Sequence, residues 1–467
     1  MNAGGSSTDR RRLKAALFFV GCAAAGIAPH ALGPATRLLP GGILAVLLGG
    51  HGLLTVLRGL VSPLPAAPTT VAAGNEPGGD GAGRPAIDVV VAARDEQAVI
   101  ARLVERVAAL RWPEGRLRLW VIDDGSEDRT PEVLADLQPR WPFLRVLRRP
   151  RDAGGGKSGA LNRVLRELEG RWLLVLDADA DLQPDTLERL IPFAEAGPWD
   201  AVQLRKAVVN APVNLLTRAQ AMEMAFDALL QEGRLARGGV GELRGNGQLL
   251  RRDAVLACGG FNESTLTDDL DLSLRLVLAG HAIGVLWDPP VGEEGVLGLR
   301  ALWRQRQRWA EGGLQRFLDH GFGFGSGRLS PFQTFDLLAF GLLQYAMPLL
   351  AAADLLGVLL SGSPPLMWPF SIVALASSAL AMVGGCRRVR GGPVMPAMTP
   401  LNVALGILYL THWFVVIPWV TVRMALLPKR LVWAKTLHHG DPEGDPEDDQ
   451  DLAAEAEGEL AAGGGQA

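Results

Sequence analysis

Residues 171–182 read RWLLVLDADADL, an apolar run followed at once by three aspartates at alternate positions. A short apolar run bounded by a polar turn predicts a strand buried on both faces, as in a parallel sheet. Three similar runs come earlier, IDVVVAA (87–93), LRLWVID (117–123) and LRVLRR (144–149). Helical stretches such as EQAVIARLVERVAAL (96–110) and TPEVLADL (130–137) alternate with them. That alternation predicts an α/β domain with crossover helices between parallel strands. Ligands of such sheets bind at the carboxyl ends of the strands. The charged and glycine-rich segments fall there: ARDE after the first strand, DDGS after the second and DADAD after the fourth. One composite site is therefore expected.

The stretch DAGGGKSGALN (152–162) invites reading as a phosphate-gripping P-loop. A Walker loop requires glycine five residues before Gly156, and Arg151 stands there. An ATP-driven kinase or transporter is disfavoured on that spacing. Lys157 still carries information, because the chain has 41 arginines and only five lysines among its 46 basic residues.

At 467 residues, 48% apolar and with mean hydropathy +0.17, the chain has room for a soluble domain and membrane segments. RRRLK (10–14) precedes an apolar stretch at 15–32, and a second runs over 38–61; each approaches the roughly 20 residues that cross a bilayer. A hairpin of two spans over residues 1–61 is expected, its basic start in the cytoplasm. Residues 62–86 are rich in Pro, Gly and Ala and read as a linker. The α/β domain is expected over 87–328, with interfacial and transmembrane helices over 329–435. Apolar stretches lie there at 332–360, 366–385 and 401–427. RRVR (387–390) and Lys429, Arg430 and Lys435 both read as cytoplasmic. Three full spans cannot satisfy both, so 331–344, with Asp336 and Gln344, is expected to be interfacial or re-entrant. Residues 436–467 read as a disordered acidic tail: ten acids and no base follow residue 440, which leaves the rest of the chain near +6 from a net −4. Cys22, Cys258 and Cys386 have neither disulfide-frame nor zinc-site spacing. No nucleic-acid partner is expected.

Asp177 and Asp179 at a strand end suit a divalent metal bridging a diphosphate, or equally a polar turn after a buried strand. Asp268 and Asp269, in TDDLDLSLRL (267–276), open a helix where carboxylates cap free N–H groups. A carboxylate there is also placed to act as a general base. In WRQRQRWAEGG (303–313), Gln305, Arg308 and Trp309 form a unit in which a guanidinium meets diphosphate and an indole stacks on a sugar. Membrane-interface Arg and Trp is the competing reading.

Taken together, VVAARDE, VIDDGSED, GGGKSGALN, DADAD, TDDLDLSLRL and QRQRW, spanning Ile87 to Trp309, resemble the membrane-bound family 2 glycosyltransferases. The resemblance implies a GT-A fold, a nucleotide-sugar donor, Mg2+ or Mn2+, and inversion at the anomeric carbon. It implies nucleoside contacts at Glu96 and Asp124, with Lys157, Asp177 and Gln305 also on the nucleotide sugar. It further implies metal at Asp179, the base at Asp269, and Arg308 and Trp309 at diphosphate and acceptor. Thr267-Asp268-Asp269 stands where many relatives have Thr-Glu-Asp. The phrasing of RDAGGGKSGALN and RGNGQLLRRDAV is similar to that of lipid-glucosylating members. That likeness implies UDP-glucose and diacylglycerol as substrates and a thylakoid or plasma membrane setting; a processive β-glycan synthase is the alternative. Gln248 is then a possible acceptor contact, or part of a tight glycine turn.

Overall fold

The computed structural model describes residues 10–66, 84–325 and 327–428, so most of the expected linker, Lys429, Arg430, Lys435 and the acidic tail lie outside the described residues. A seven-stranded sheet forms the centre: β1 (Ile87–Ala93), β2 (Leu117–Asp123), β3 (Leu144–Arg148), β4 (Trp172–Leu176), β5 (Trp199–Val208), β6 (Gln248–Arg251) and β7 (Ala282–Glu293). The spatial order is β3-β2-β1-β4-β6-β5-β7. β1 pairs in parallel with β2 and β4, and β2 with β3. The four runs read from sequence are thus adjacent parallel strands. β6 is antiparallel to both neighbours, so the full sheet is mixed, not wholly parallel.

Alternate residues of β1 and β4 enter two different apolar layers. Val89, Val91, Leu174 and Leu176 pack on one face, while Val90, Leu173 and Val175 pack on the other. Burial on both faces is why these strands are apolar throughout. The chain runs β1-β2-β3 in one direction and then returns to place β4 on the other side of β1. The strand order reverses between β1 and β4, and an open α/β sheet has its crevice at such a point.

Among the described residues, five helical segments are long and apolar enough to cross a membrane: Arg11–Ala31, Leu39–Val61, Pro331–Ser361, Trp368–Arg388 and Pro400–Leu426. The segment 331–344, expected to be interfacial or re-entrant, continues without a break into residues 345–361, in one 31-residue helical run with a π turn at Leu342–Ala346. At about 1.5 Å per residue that run exceeds a ~30 Å hydrocarbon core. Its first part is held by the α/β domain and the second helical segment: Asp336 accepts from Arg234 Nε at 2.9 Å and from the Val240 amide at 3.2 Å, and His51 Nε2 lies 3.2 Å away. The last segment divides into Pro400–Leu410 and Trp413–Leu426.

The α/β domain and the candidate membrane-spanning helices share their packing. A Cβ at Gly59 or Gly233 would overlap the opposing backbone, so glycine lets the second hairpin helix seat directly on the helix Leu215–Ala236. Arg388 donates to the carbonyls of Leu60 and Ser62 at 2.6 and 2.5 Å, tying the hairpin's end to the helix Trp368–Arg388. Glu311, on the amphipathic helix Leu299–His320, pairs with Arg11 from the first span and Arg423 from the last. The helix carrying Gln305, Arg308 and Trp309 is therefore clamped by both ends of the membrane portion.

Candidate active site

The loop after β3 carries three consecutive glycines. Gly154, Gly155 and Gly156 have φ of +71°, +71° and +51°, a left-handed run that residues with a Cβ resist. The turn starts the helix Gly156–Leu165 and aims Lys157 across the β1–β4 crevice, where Nζ lies 2.5 Å from Asp177 Oδ1. Burial opposes the charge on Lys157, yet Asp177, Asp268 and Asp269 outweigh it and hold its pKa above the ordinary lysine value.

Asp177 and Asp179 follow β4 as read. The Asp177 amide donates to Asn246 Oδ1 at 3.1 Å, and Asp179 Oδ2 accepts from the Glu294 amide at 2.8 Å. The backbone of Asp177 and the carboxylate of Asp179 are thereby fixed at the sheet's carboxyl edge. Opposite them begins the helix Asp268–Ala279, with Asp268, Asp269 and Asp271 in its first turn, where its dipole favours negative charge. The pKa of Asp269 is nevertheless pushed up to about 6, first by burial and then by Asp268; the Leu270 amide, Lys157 and Lys206 oppose the rise. Gly245 (φ +89°) faces this carboxylate, and a Cβ there would sit 3.5 Å from Asp269 Oδ2. Thr267 packs against Gly312 of the helix Leu299–His320, where no Cβ would fit.

From that helix, Arg308 turns toward Asp177, Asp269 and Asp268, whose charges resist the lowering of its pKa by burial. Trp309 stacks on Arg306, with the guanidinium carbon 4.0 Å from the ring centroid. Arg306 is held by Glu223 Oε2 at 2.5 Å and by the Tyr409 hydroxyl at 2.7 Å, and Trp413 Nε1 donates to Glu223 at 3.1 Å. The indole is thus positioned by a buried polar cluster that reaches the last membrane helices.

Glu96, Lys157, Asp177, Asp179, Asp269, Gln305, Arg308 and Trp309 line one cavity of about 900 Å³, together with Asp268, Lys206 and Glu293. Asp124 is placed differently. It is fully buried under Arg94 (Nη2 to Oδ2, 2.6 Å) and Arg149 (Nη1 to Oδ1, 3.0 Å) and is not among the lining residues. Burial lifts its pKa and the two arginines pull against that lift. Gln248 is also off the cavity: it is buried in the sheet and donates to the Gly245 carbonyl.

Sequence reading missed Lys206 and Glu293. Their side chains meet at 2.8 Å, and Lys206 Nζ lies 5.2 Å from the Trp309 ring centroid. Lysine scarcity was a usable signal for Lys206, as it was for Lys157.

Beyond the charged end, the same cavity runs between the membrane helices. Its walls there are Val56, Leu343, Met347, Ala351, Phe370 and Phe414, among others. The arrangement joins an anion-and-cation cluster, suited to a polar donor, to an apolar lobe among segments able to span a bilayer.

The family model described as "Glycosyltransferase like family 2" matches residues 85–312. The beta-monoglucosyldiacylglycerol synthase of Synechocystis sp. is 44% identical over 360 residues, covering 76% of this chain and 75% of that protein. The protein of the same name from Nostoc sp. is 45% identical over 360 residues, covering 76% and 77%. Among solved structures, the mannosyltransferase PcManGT from Pyrobaculum calidifontis, in complex with GDP-Man and Mn2+, matches with a TM-score of 0.56 at 20% identity. That match covers 87% of this chain and 99% of the other, and it supports a shared fold.

Proposed function

Because this chain belongs to the family 2 glycosyltransferases and has their GT-A fold, we propose that it transfers glucose from UDP-glucose to the sn-3 hydroxyl of 1,2-diacylglycerol, giving β-monoglucosyldiacylglycerol. The observation that carries this reading is the continuity of the cavity from the Asp177–Asp179–Asp269 carboxylates to its apolar lobe. A two-chain lipid can lie in that lobe with its hydroxyl at the charged end. The names borne by relatives at 44–45% identity agree with it.

In this reading the diphosphate lies along Lys157 and Arg308, whose charges stabilise the leaving group as the glycosidic bond to UDP breaks. Asp269 takes the proton of the acceptor hydroxyl as that oxygen attacks the anomeric carbon from the opposite face. A single displacement inverts the α-linked donor to a β-glucoside. The raised pKa of Asp269 suits this role, since a base near neutrality holds an abstracted proton better than an ordinary carboxylate does. Trp309, fixed by Arg306, supplies an apolar face for a sugar ring. Glu96, which lines the same cavity, would contact the nucleoside.

A hard divalent ion fits the donor set. The carboxylates of Asp177, Asp179, Asp268 and Asp269 all line the cavity, and Asp268 Oδ2 is buried without a hydrogen-bond partner among the described residues. Among those residues no group of three or more His, Cys, Asp or Glu side chains is arranged to hold a metal by itself. Asp179, with Asp177 near it, would hold Mg2+ or Mn2+ together with the substrate. Such an ion would neutralise diphosphate charge. The basic start of the first helical segment supports a catalytic domain on the cytoplasmic side.

Purified full-length chain in vesicles containing diacylglycerol, given radiolabelled UDP-glucose, tests the assignment. Label should pass into the organic phase as a diacylglycerol derivative. Label recovered in a water-soluble or insoluble polymer would instead make the chain a glycan synthase.

A further inference from the structure

We propose that Lys206 and Glu293, paired beside the indole of Trp309, form the subsite that reads the hydroxyl groups of the transferred hexose. The proposal rests on the glycosyl-transfer reading above and adds to it the residues that select the sugar.

The first support is how the two side chains come to be there. The β5–β7 pairing steps from Leu204↔Leu286 to Lys206↔Val291, so β7 carries extra residues at this point. Such an irregularity re-aims the side chains beside it. Arg205 also borders the cavity but is tied down, donating to the Trp287 carbonyl at 3.0 Å and the Gly391 carbonyl at 2.7 Å. Its neighbour Lys206 takes the other side of the strand and enters the cavity, as does Glu293 from the end of β7.

The second support is where the pair lies. Asp179 and Asp177, at the diphosphate end, are among the charges acting on the Glu293 carboxyl, whose pKa is raised chiefly by burial. Lys206 in turn is among the charges acting on Asp269, the base. The pair lines the same cavity as Asp177, Asp179 and Asp269, with Lys206 beside Trp309, and an in-line displacement needs the reacting sugar between leaving group and base.

The third is chemistry. The side chains are 11% and 15% exposed and open to the cavity. An ion pair so placed adds little to the stability of the fold. To a pyranose, however, it offers a carboxylate that accepts from adjacent hydroxyls and an ammonium that donates to them. The indole 5.2 Å from Lys206 Nζ supplies a face for the sugar's C–H groups.

The test uses the full chain in diacylglycerol vesicles, with Glu293→Gln and Lys206→Met as variants. The ligands are UDP, UDP-glucose, and UDP-glucose lacking the 3-, 4- or 6-hydroxyl. Each variant should lose roughly 10–100-fold in kcat/KM for UDP-glucose, the worth of a charged hydrogen bond to a hydroxyl. Inhibition by UDP should stay unchanged, which also shows that the variants are folded. At least one deoxy donor should lose a comparable factor on the wild type, and its loss should not add to that of the variant. Losses that add for every deoxy donor, or UDP affinity falling in step with turnover, would overturn the subsite. A wild type that makes no glucosyl lipid fails the functional reading instead. The subsite is then decided by binding alone, through whether the preference for UDP-glucose over UDP disappears in Glu293→Gln.

Discussion

Asp269→Asn should abolish transfer and, at the same time, make the protein more stable at neutral pH. The carboxyl has a raised pKa, from 3.8 to about 6, so the folded chain holds this proton more tightly than the unfolded chain does. For a raised group the stabilising contribution is full below 3.8 and is lost as pH rises through about 6. A gap of about two units at 1.36 kcal/mol each makes the ionised carboxylate a burden of up to about 3 kcal/mol above pH 7, less what water in the cavity screens. Asparagine carries no charge to desolvate. Its thermal midpoint at pH 7.5 should exceed the wild type's by a few degrees, and the difference should shrink as pH falls from 6 toward 4. The wild-type kcat/KM should drop about tenfold per unit below an apparent pKa near 6. Thermal unfolding of both proteins over this range, with UDP inhibition as the binding control, is the assay. An Asn variant no more stable than wild type at pH 7.5 would refute the strained-base account. A variant that still transfers sugar would remove Asp269 from the base role.

Other perturbations separate the remaining parts of the site. Glu242 is surrounded by Arg234, Arg244 and Arg316 at 2.9–3.1 Å, and although burial favours the neutral acid, the three guanidiniums keep its pKa below the usual range. Glu242→Gln leaves them without a counter-charge and should cost about 3–5 kcal/mol of stability, read by denaturant melts. Lys157→Met should weaken UDP binding at least tenfold, measured by calorimetry, because it removes a charge-assisted contact to diphosphate; unaltered affinity would place the diphosphate elsewhere. Ala351→Trp, which fills the apolar lobe, should raise the KM for diacylglycerol while leaving UDP inhibition as it was. Equal changes in both would mean that the lobe is not the acceptor's place.

The first four strands were legible because burial on both faces makes them apolar throughout, and the motifs mark their carboxyl ends. The last three were not. β5 mixes Gln203, Arg205 and Lys206 into its run, β6 is only four residues long, and β7 contains Asp288-Pro289-Pro290, a signature that argues against a strand. Lys206 and Glu293 went unread for the same reason. Their partnership depends on a β5–β7 register that no local pattern announces. Asp124 shows the converse. Its motif was plain, but only the fold reveals Arg94 and Arg149 closing over it. The clamp on Trp309 joins Glu223, Arg306, Tyr409 and Trp413 across almost two hundred residues, a contact that belongs to tertiary packing alone.

The most direct test of the whole account is the structure of the product lipid. Material made from UDP-glucose and diacylglycerol should show by mass one hexose per diacylglycerol, and its anomeric proton should have the large coupling of a β-glucoside. An α-linked product would contradict the single displacement with Asp269 as base. A ladder of hexoses would contradict a cavity whose far end accepts a lipid.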